Sequence, residues 1–398
     1  MENKTVQQAV VNYFLPPSIQ FGVGAIKNLG AHVHAFGGNK PFIVTDEGVT
    51  NAGILAKTVE PLENAQIDSA IFDAVQPNPT DLSVLEGLEA YQSEGCDVVI
   101  AVGGGSVMDA AKAIRILTTH EPPLENYYVD VGGVDRITDN LPALICIPTT
   151  AGTGSELSQG SIITDTSGCT TEGHRKRAVS TPYNMASLAL LDPELTTGMP
   201  PGLTAATGMD AVTHGVEAYV ATRYHPIAEG VALQALKILG KNIRQAYHHG
   251  NDIEARGEML IASAMAAFSF QKGLGAVHSL AHQLSTEANI PHGIANAILL
   301  PEVMVFNMSH AVDGYADIAA ALGIDTAGML TQDAADAAIA EIRSLNEEFS
   351  IPKGLGIAGL KWERIPKIAK DAMLDHCYKL NPRPCTETDM QNLFEAAF

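Results

Sequence analysis

The segment GMDAVTHGVEAYV sets Asp210 and His214 four residues apart, a spacing that puts both on one face of a helix. GLGAVHSLAHQLS does the same for His278 and His282, and PHGIANA sets His292 behind a proline at what reads as a helix start. A single helical histidine is most often a core or capping residue. One carboxylate and four imidazoles on mostly apolar helices are harder to dismiss, because each unpaired polar group costs free energy on burial. A shared metal ion accounts for all five at once, although spacing alone does not say which of them are ligands. Carboxylate and imidazole donors without thiolates suit Fe(II) or Zn(II) and argue against a structural zinc cage. Such an ion offers Lewis acidity, stabilising the alkoxide that must form before hydride leaves carbon or polarising the carbonyl in the reverse direction.

Two further segments point to a phosphate-bearing partner. VIAVGGGSVMDAAKAI places Gly103, Gly104 and Gly105 between a buried strand and an amphipathic helix. Glycines there let backbone N–H groups approach a phosphate, and the helix N-terminus adds partial positive charge. Ser106 is placed to cap that helix or to donate to the phosphate. IPTTAGTGSE also follows a strand and offers the hydroxyls of Thr149, Thr150, Thr153 and Ser155 beside Gly152 and Gly154. Three glycines in a row favour a phosphate loop over a plain tight turn, whereas the second loop alone reads also as a common Ser/Thr/Gly surface turn. Two such loops at strand ends of one sheet are where open α/β sheets bind ligands. GxGxxG is absent. PFIVTD ends in Asp46, an acid suited to ribose hydroxyls and repulsive to a 2′-phosphate, yet it precedes the glycine loop instead of following it.

The elements that must position these residues fall into two halves. Short apolar runs (PFIVTD, CDVVIAVGGGS, ALICIPTT, LALLD) alternate with helical patterns up to Asp192, which predicts a parallel sheet with helices on both faces. Beyond DPELTTGMPPG the strands stop and one helical segment follows another. The expected layout is an α/β dinucleotide-binding domain over 1–192 and an all-α domain over 193–398. A chain of 398 residues is long for one domain, and its 46% hydrophobic and 17% charged content is that of an ordinary globular protein. A net charge of −21 argues against nucleic acid and against an anionic membrane surface. Five cysteines without a CxxC pair fit a reducing cytoplasm. MENKTVQQAVVNYFLPP does not read as a signal peptide, and no apolar run nears the ~20 residues of a membrane helix. A soluble, intracellular protein is expected.

Six ordered segments, AVGGGSVMDAAKAI, IPTTAGTGSE, LLDPELT, GMDAVTHGVEAYV, GLGAVHSLAH and PHGIANA, together resemble the iron-containing (group III) alcohol dehydrogenases. The resemblance runs from YFLPPSIQFGVGAI to the NPRP of Asn381 to Pro384, nearly the whole chain. It implies a Rossmann-like parallel-sheet domain plus a helical domain, the architecture shared with dehydroquinate synthase, with the site in the cleft between them. It implies Asp210, His214, His278 and His292 as metal ligands and sets His282 apart as a non-ligand near substrate and nicotinamide, a candidate proton relay. Cofactor positions carry over to Asp46, Asn78, Gly104, Gly105, Ser106, Thr149, Thr150 and Ser155, and an acid at Asp46 goes with NAD. The family's lysine near the nicotinamide ribose falls in HRKRAVS on Arg177, the candidate taken, or on Lys176. An arginine there would be bulkier and bond differently. Phe268 and Phe270 either wall the substrate pocket or, more ordinarily, belong to a helix core. The implied reaction moves a hydride between a small neutral alcohol or aldehyde and NAD(H), in a homo-oligomer of two or more chains with Fe(II) or Zn(II). The competing readings are a glycerol-dehydrogenase-like or dehydroquinate-synthase-like zinc enzyme and a non-catalytic dinucleotide- or metal-binding protein.

Overall fold

The computed structural model describes residues 13, 17–166 and 175–398, apart from the side chain of Arg175. All but residues 13 and 17 of the opening segment read against a signal peptide, together with Cys169 and His174, lie outside the described residues. Two compact units, Leu15–Gly198 and Met199–Phe398, divide the chain inside DPELTTGMPPG.

Among the described residues the first unit is built on eight strands: β1 (Ser18–Phe21), β2 (Pro41–Val44), β3 (Ala70–Phe72), β4 (Val98–Gly103), β5 (Ala143–Pro148), β6 (Gly160–Asp165), β7 (Arg175–Ser180) and β8 (Leu188–Leu191). Six of them form one parallel sheet in the order β1-β8-β5-β4-β2-β3, while β6 and β7 pair as an antiparallel ribbon. Its helices are α1 (Leu29–Ala35), α2 (Glu47–Asn51), α3 (Ile54–Asn64), α4 (Asp81–Glu94) and α5 (Gly105–Leu117). The central strands are apolar at successive positions because both faces are covered. Phe42, Val99, Ala101, Leu144 and Cys146 pack with Val84, Leu88, Ala111 and Ile114 of α4 and α5. Ile43, Val98, Ile100, Val102 and Ile145 face the other way, onto Leu29 and Val33 of α1 and Leu62 of α3. Burying each of the Val, Leu, Ile and Phe side chains here is worth about 1.5–3 kcal/mol.

Strand order also decides where a ligand can sit. The run β3-β2-β4-β5-β8 is the 2-1-3-4-5 order of doubly wound sheets, and its direction reverses between β2 and β4. Val44 pairs with Ala101, and Gly103 with Pro148, so the carboxyl ends of β2, β4 and β5 emerge side by side. Asp46 therefore lies next to the glycine loop although it comes earlier in the chain.

The second unit is helical, as the sequence pattern predicts: α6 (Pro201–Val220), α7 (Pro226–His248), α8 (Ile253–Ser269), α9 (Ala276–Glu287), α10 (His292–Ala321), α11 (Thr331–Glu348), α12 (Leu355–Ala358), α13 (Ile365–Ala372) and α14 (Glu387–Ala396). Local signals set the starts. Pro201 and Pro226 open α6 and α7, His225 Nδ1 accepts from Ala228 N at 3.1 Å, and Asp252 accepts from the N–H groups of Glu254 and Ala255. Helix α10 is continuous apart from a kink at Ala311. Along α6 the residues from Gly208 to Ala218 are all buried, so any polar group on it must be satisfied inside the protein. Among the described residues no single helix is long and apolar enough to cross a membrane.

Candidate metal centre and dinucleotide loops

In the first unit, the loops after β4 and β5 touch. A Cβ on Gly105 would come within 2.7 Å of Thr153 Cγ2, and one on Gly104 within 3.4 Å of Thr150 Oγ1. A side chain at Gly105 would therefore prise the loops apart. Gly104, extended, is the N-cap of α5 and has no side chain to accept the first helical N–H groups, which leaves them for an anion. Ser106 consequently sits inside the first turn, and the expectation that it caps α5 is corrected: the cap is two residues earlier, at Gly104, and the helix starts at Gly105. Thr149 donates its N–H to Gly103 O at 3.1 Å, and Thr150 is half-buried. Asp46 caps α2, accepting from Val49 N at 2.9 Å, while remaining half-exposed. Asn78 is exposed, with a left-handed φ of 57° that asparagine tolerates better than most residues.

Two of the expected cofactor residues, Ser155 and Arg177, are bonded within the protein. Ser155 is buried, its hydroxyl donating to Asp109 Oδ1 at 3.1 Å and accepting from Lys112 Nζ at 3.0 Å. Lys112 also donates to the carbonyls of Ser155, Ser158 and Gly160, so Ser155 fastens the loop to α5. Arg177 is held by Asp165 at 2.8 Å and Asp130 at 2.7 Å and stacks over Tyr128. Neighbouring positions on β7 face opposite ways, so Lys176 points away from that cluster and feels the charge of Asp109. Burial pushes its ammonium down to about 8, against the pull of Asp109. Burial likewise raises the Asp109 carboxyl to about 6, with Lys112 opposing.

In the second unit, Asp210, His214 and His278 each direct one donor atom into a common space in which all three lie within 4.8 Å of one another, and all three residues are buried. His214 Nε2 is 3.9 Å and His278 Nε2 4.0 Å from Asp210 Oδ1. His292 Nε2 lies nearer, at 3.5 Å, on a more exposed side chain. Register explains the convergence: α6 presents Asp210 and His214 one turn apart, while α9 and the start of α10 bring His278 and His292 to the same side. Gly293 permits this approach, since a Cβ there would lie 2.0 Å from Ala206 O on α6. Asn296, one turn after His292, aims Nδ2 into the cluster, 2.7 Å from Asp210 Oδ1, 3.2 Å from His292 Nε2 and 3.4 Å from His278 Nε2. A positively polarised N–H group thus stands among atoms suited to a cation, and the donor set fits a divalent metal. Burial holds His278 down to about 4, against the pull of Asp210, so it is neutral, as ligation requires.

His282 lies beside this cluster. Its ring stacks on His292 with centroids 5.3 Å apart, and its Nδ1 is 2.8 Å from Asp375 Oδ2. Asp375 Oδ1 accepts from Ser279 Oγ and Cys377 N. Burial alone would raise the Asp375 carboxyl, but the neighbouring His282 and these donors hold it well below the usual range. Phe270 rests 5.2 Å from the ring of His214, whereas Phe268 is core.

The sequence matches the family described as "Iron-containing alcohol dehydrogenase" over residues 16–193 and "Fe-containing alcohol dehydrogenase family, C-terminal" over 204–398. The chain belongs to the iron-containing alcohol dehydrogenase family. It is 39% identical over 390 residues to 1,3-propanediol dehydrogenase of Citrobacter freundii, covering 97% of this chain and 98% of that one. It is 36% identical over 389 residues to the NAD-dependent methanol dehydrogenase of Bacillus methanolicus, covering 98% and 100%. A crystal structure of 1,3-propanediol oxidoreductase superposes with a TM-score of 0.93 at 39% identity, covering 98% and 100%.

In this iron-containing alcohol dehydrogenase three residues not singled out from the sequence touch the cluster or His282: Glu217, Asn296 and Asp375. Two carried a signal. Glu217 follows His214 by three and Asn296 follows His292 by four, both same-face helical spacings. Asp375 lies 93 positions from His282, a separation no local pattern reveals.

Proposed function

We propose that this iron-containing alcohol dehydrogenase transfers a hydride between a small neutral alcohol or aldehyde and NAD(H), using a divalent metal held by Asp210, His214, His278 and His292. The observation that carries the reading is the buried convergence of Asp210, His214 and His278. Fe(II) and Zn(II) both suit this donor set, and Fe(II) is the ion assigned. Once bound, the metal supplies Lewis acidity to the substrate oxygen, and NAD accepts or returns the hydride.

The residues of the chain supply position and protons. The uncapped N–H groups of α5, with Gly104, Gly105, Ser106, Thr149 and Thr150, cradle the cofactor phosphates, and Asp46 and Asn78 lie toward the adenosine side. Lys176, in place of Arg177, is the cation assigned to the nicotinamide ribose. His282, with Nδ1 tied to Asp375, takes the alcohol proton at Nε2 during oxidation and returns it during reduction. Phe270 walls the side of the site next to His214. The named relatives act on 1,3-propanediol and methanol, both small and neutral, which supports the same substrate class here. The domain roles proposed are dinucleotide binding for 1–192 and metal binding with catalysis for 193–398. The proposed assembly is a homo-oligomer of two or more chains, and the free thiols of Cys96, Cys146, Cys377 and Cys385 accord with a cytoplasmic setting.

Anaerobic reconstitution with Fe(II) or Zn(II), followed by NADH and NADPH oxidation across a panel of aldehydes, tests this reading. Asp210→Ala should abolish turnover and metal retention, and His278→Ala should abolish turnover while weakening metal binding; unchanged turnover in either variant would sink the assignment. Asp46→Ala should narrow the preference for NADH over NADPH, and a wild-type enzyme that prefers NADPH would refute the role of Asp46 alone.

A further inference from the structure

Glu217 is fully enclosed and belongs to no ligand set assigned above. It sits on α6, seven residues after Asp210 and three after His214, so one helical stripe carries all three. Its Oε2 is 2.5 Å from His278 Nδ1, and its Oε1 accepts the backbone N–H of Val277 at 2.7 Å. Helix α9 has no cap of its own, because Gly275 holds the N-cap position without a side chain. The cap comes from elsewhere: Glu217 takes the N–H of Val277, and Asn381 Oδ1 takes that of Ala276 at 3.2 Å. A carboxylate is favoured at that site, since the N-terminus of a helix carries partial positive charge.

We propose that Glu217 is a positioning residue that sets metal affinity through His278. By accepting from Nδ1 it fixes the tautomer in which Nε2 is unprotonated, and it holds that Nε2 toward Asp210. By capping α9 it also fixes the helix on which His278 rides. Outer carboxylates of this kind typically change metal affinity by 10–100-fold when removed. Gly275 belongs to the same device, because a Cβ there would lie 2.8 Å from both Glu217 Oε1 and Asn381 Oδ1.

This inference rests on the metal reading of the previous section, and the experiment separates the two. Metal-free full-length protein is titrated with Zn(II) against a chromophoric chelator, and with Co(II) while its visible absorption is followed. Wild type should bind one ion, Asp210→Ala should not, and Glu217→Gln should bind about 10–100-fold more weakly with an altered Co(II) spectrum. Glu217→Asp should recover part of the loss. In a His278→Ala background, Glu217→Gln should add little, since its partner is gone. Failure of wild type to bind a stoichiometric ion overturns the metal reading and this proposal with it. Tight binding by folded Glu217→Gln, or an equal loss with and without His278, overturns this proposal alone. Should Glu217→Gln not fold, Gly275→Ala decides, because it displaces the carboxylate without removing it and should weaken Zn(II) binding over the same range.

Discussion

Gly293→Ala should damage both the stability and the metal site of this protein, although it adds one methyl group to a helix. The added Cβ would sit 2.0 Å from Ala206 O, whereas real Cβ atoms essentially never come closer than 3.0 Å. The neighbour is backbone of α6 and cannot swing aside, so α10 and α6 must part by about 1 Å at the contact. Overpacking of this kind costs about 1–3 kcal/mol and at times more. For a unit of this size, about 2–3 kcal/mol lowers Tm by roughly 4–12 °C. The site suffers more than the fold, because metal ligand distances tolerate only about 0.2 Å. Gly293 adjoins His292, and Ala206 lies one turn before Asp210, so the displacement opens the 3.5 Å gap between those two side chains. Differential scanning calorimetry of metal-free protein and Zn(II) titration read the two effects separately. Gly202→Ala is the control: it lies at the exposed start of α6, where a Cβ meets nothing within 4 Å, and should be neutral or stabilising by about 0.4–1 kcal/mol. If Gly293→Ala keeps the wild-type Tm and Zn(II) affinity, the close approach of α10 to α6 does not build this site.

Lys176→Ala should raise KM for NADH while Arg177→Ala should mainly lower Tm, because only Arg177 is bound into a cluster with Asp130 and Asp165. With its ammonium brought down to about 8, Lys176 is charged below that pH and neutral above it, so wild-type NADH affinity should weaken as pH rises through 8 and Lys176→Ala should lack that step. The same group adds stability as pH rises from about 8 toward 10, since the unfolded lysine keeps its proton there; a flat Tm in the wild type over that window would contradict the burial. Asp375→Asn should leave bound metal unchanged and lower kcat by roughly 10²-fold, because an amide facing Nδ1 favours the tautomer that blocks proton acceptance at Nε2; an unaltered kcat would remove Asp375 from the mechanism.

Much of this protein is written locally. Continuous apolar runs bounded by glycine, or by a hydroxyl or acid, determined the buried parallel strands, because a strand covered on both faces has no polar face to show. Spacings of three and four determined which side chains share a helical face, so Asp210 with His214 and His278 with His282 were legible as pairs. The order β2-β4-β5 was not, and it alone brings Asp46 beside a glycine loop that follows it by nearly sixty residues. Nor could spacing separate Lys176 from Arg177, or tell that Ser155 turns inward to Lys112, since both depend on which acids and carbonyls the fold brings near. The metal centre itself divides the same way. Sequence supplied the donors, while tertiary packing supplied the geometry: Gly293 against Ala206, Glu217 under His278, and Asp375 behind His282 are contacts between segments far apart in the chain. Local periodicity fixes which face of a helix a residue occupies; only the packing of one helix on another decides what that face meets.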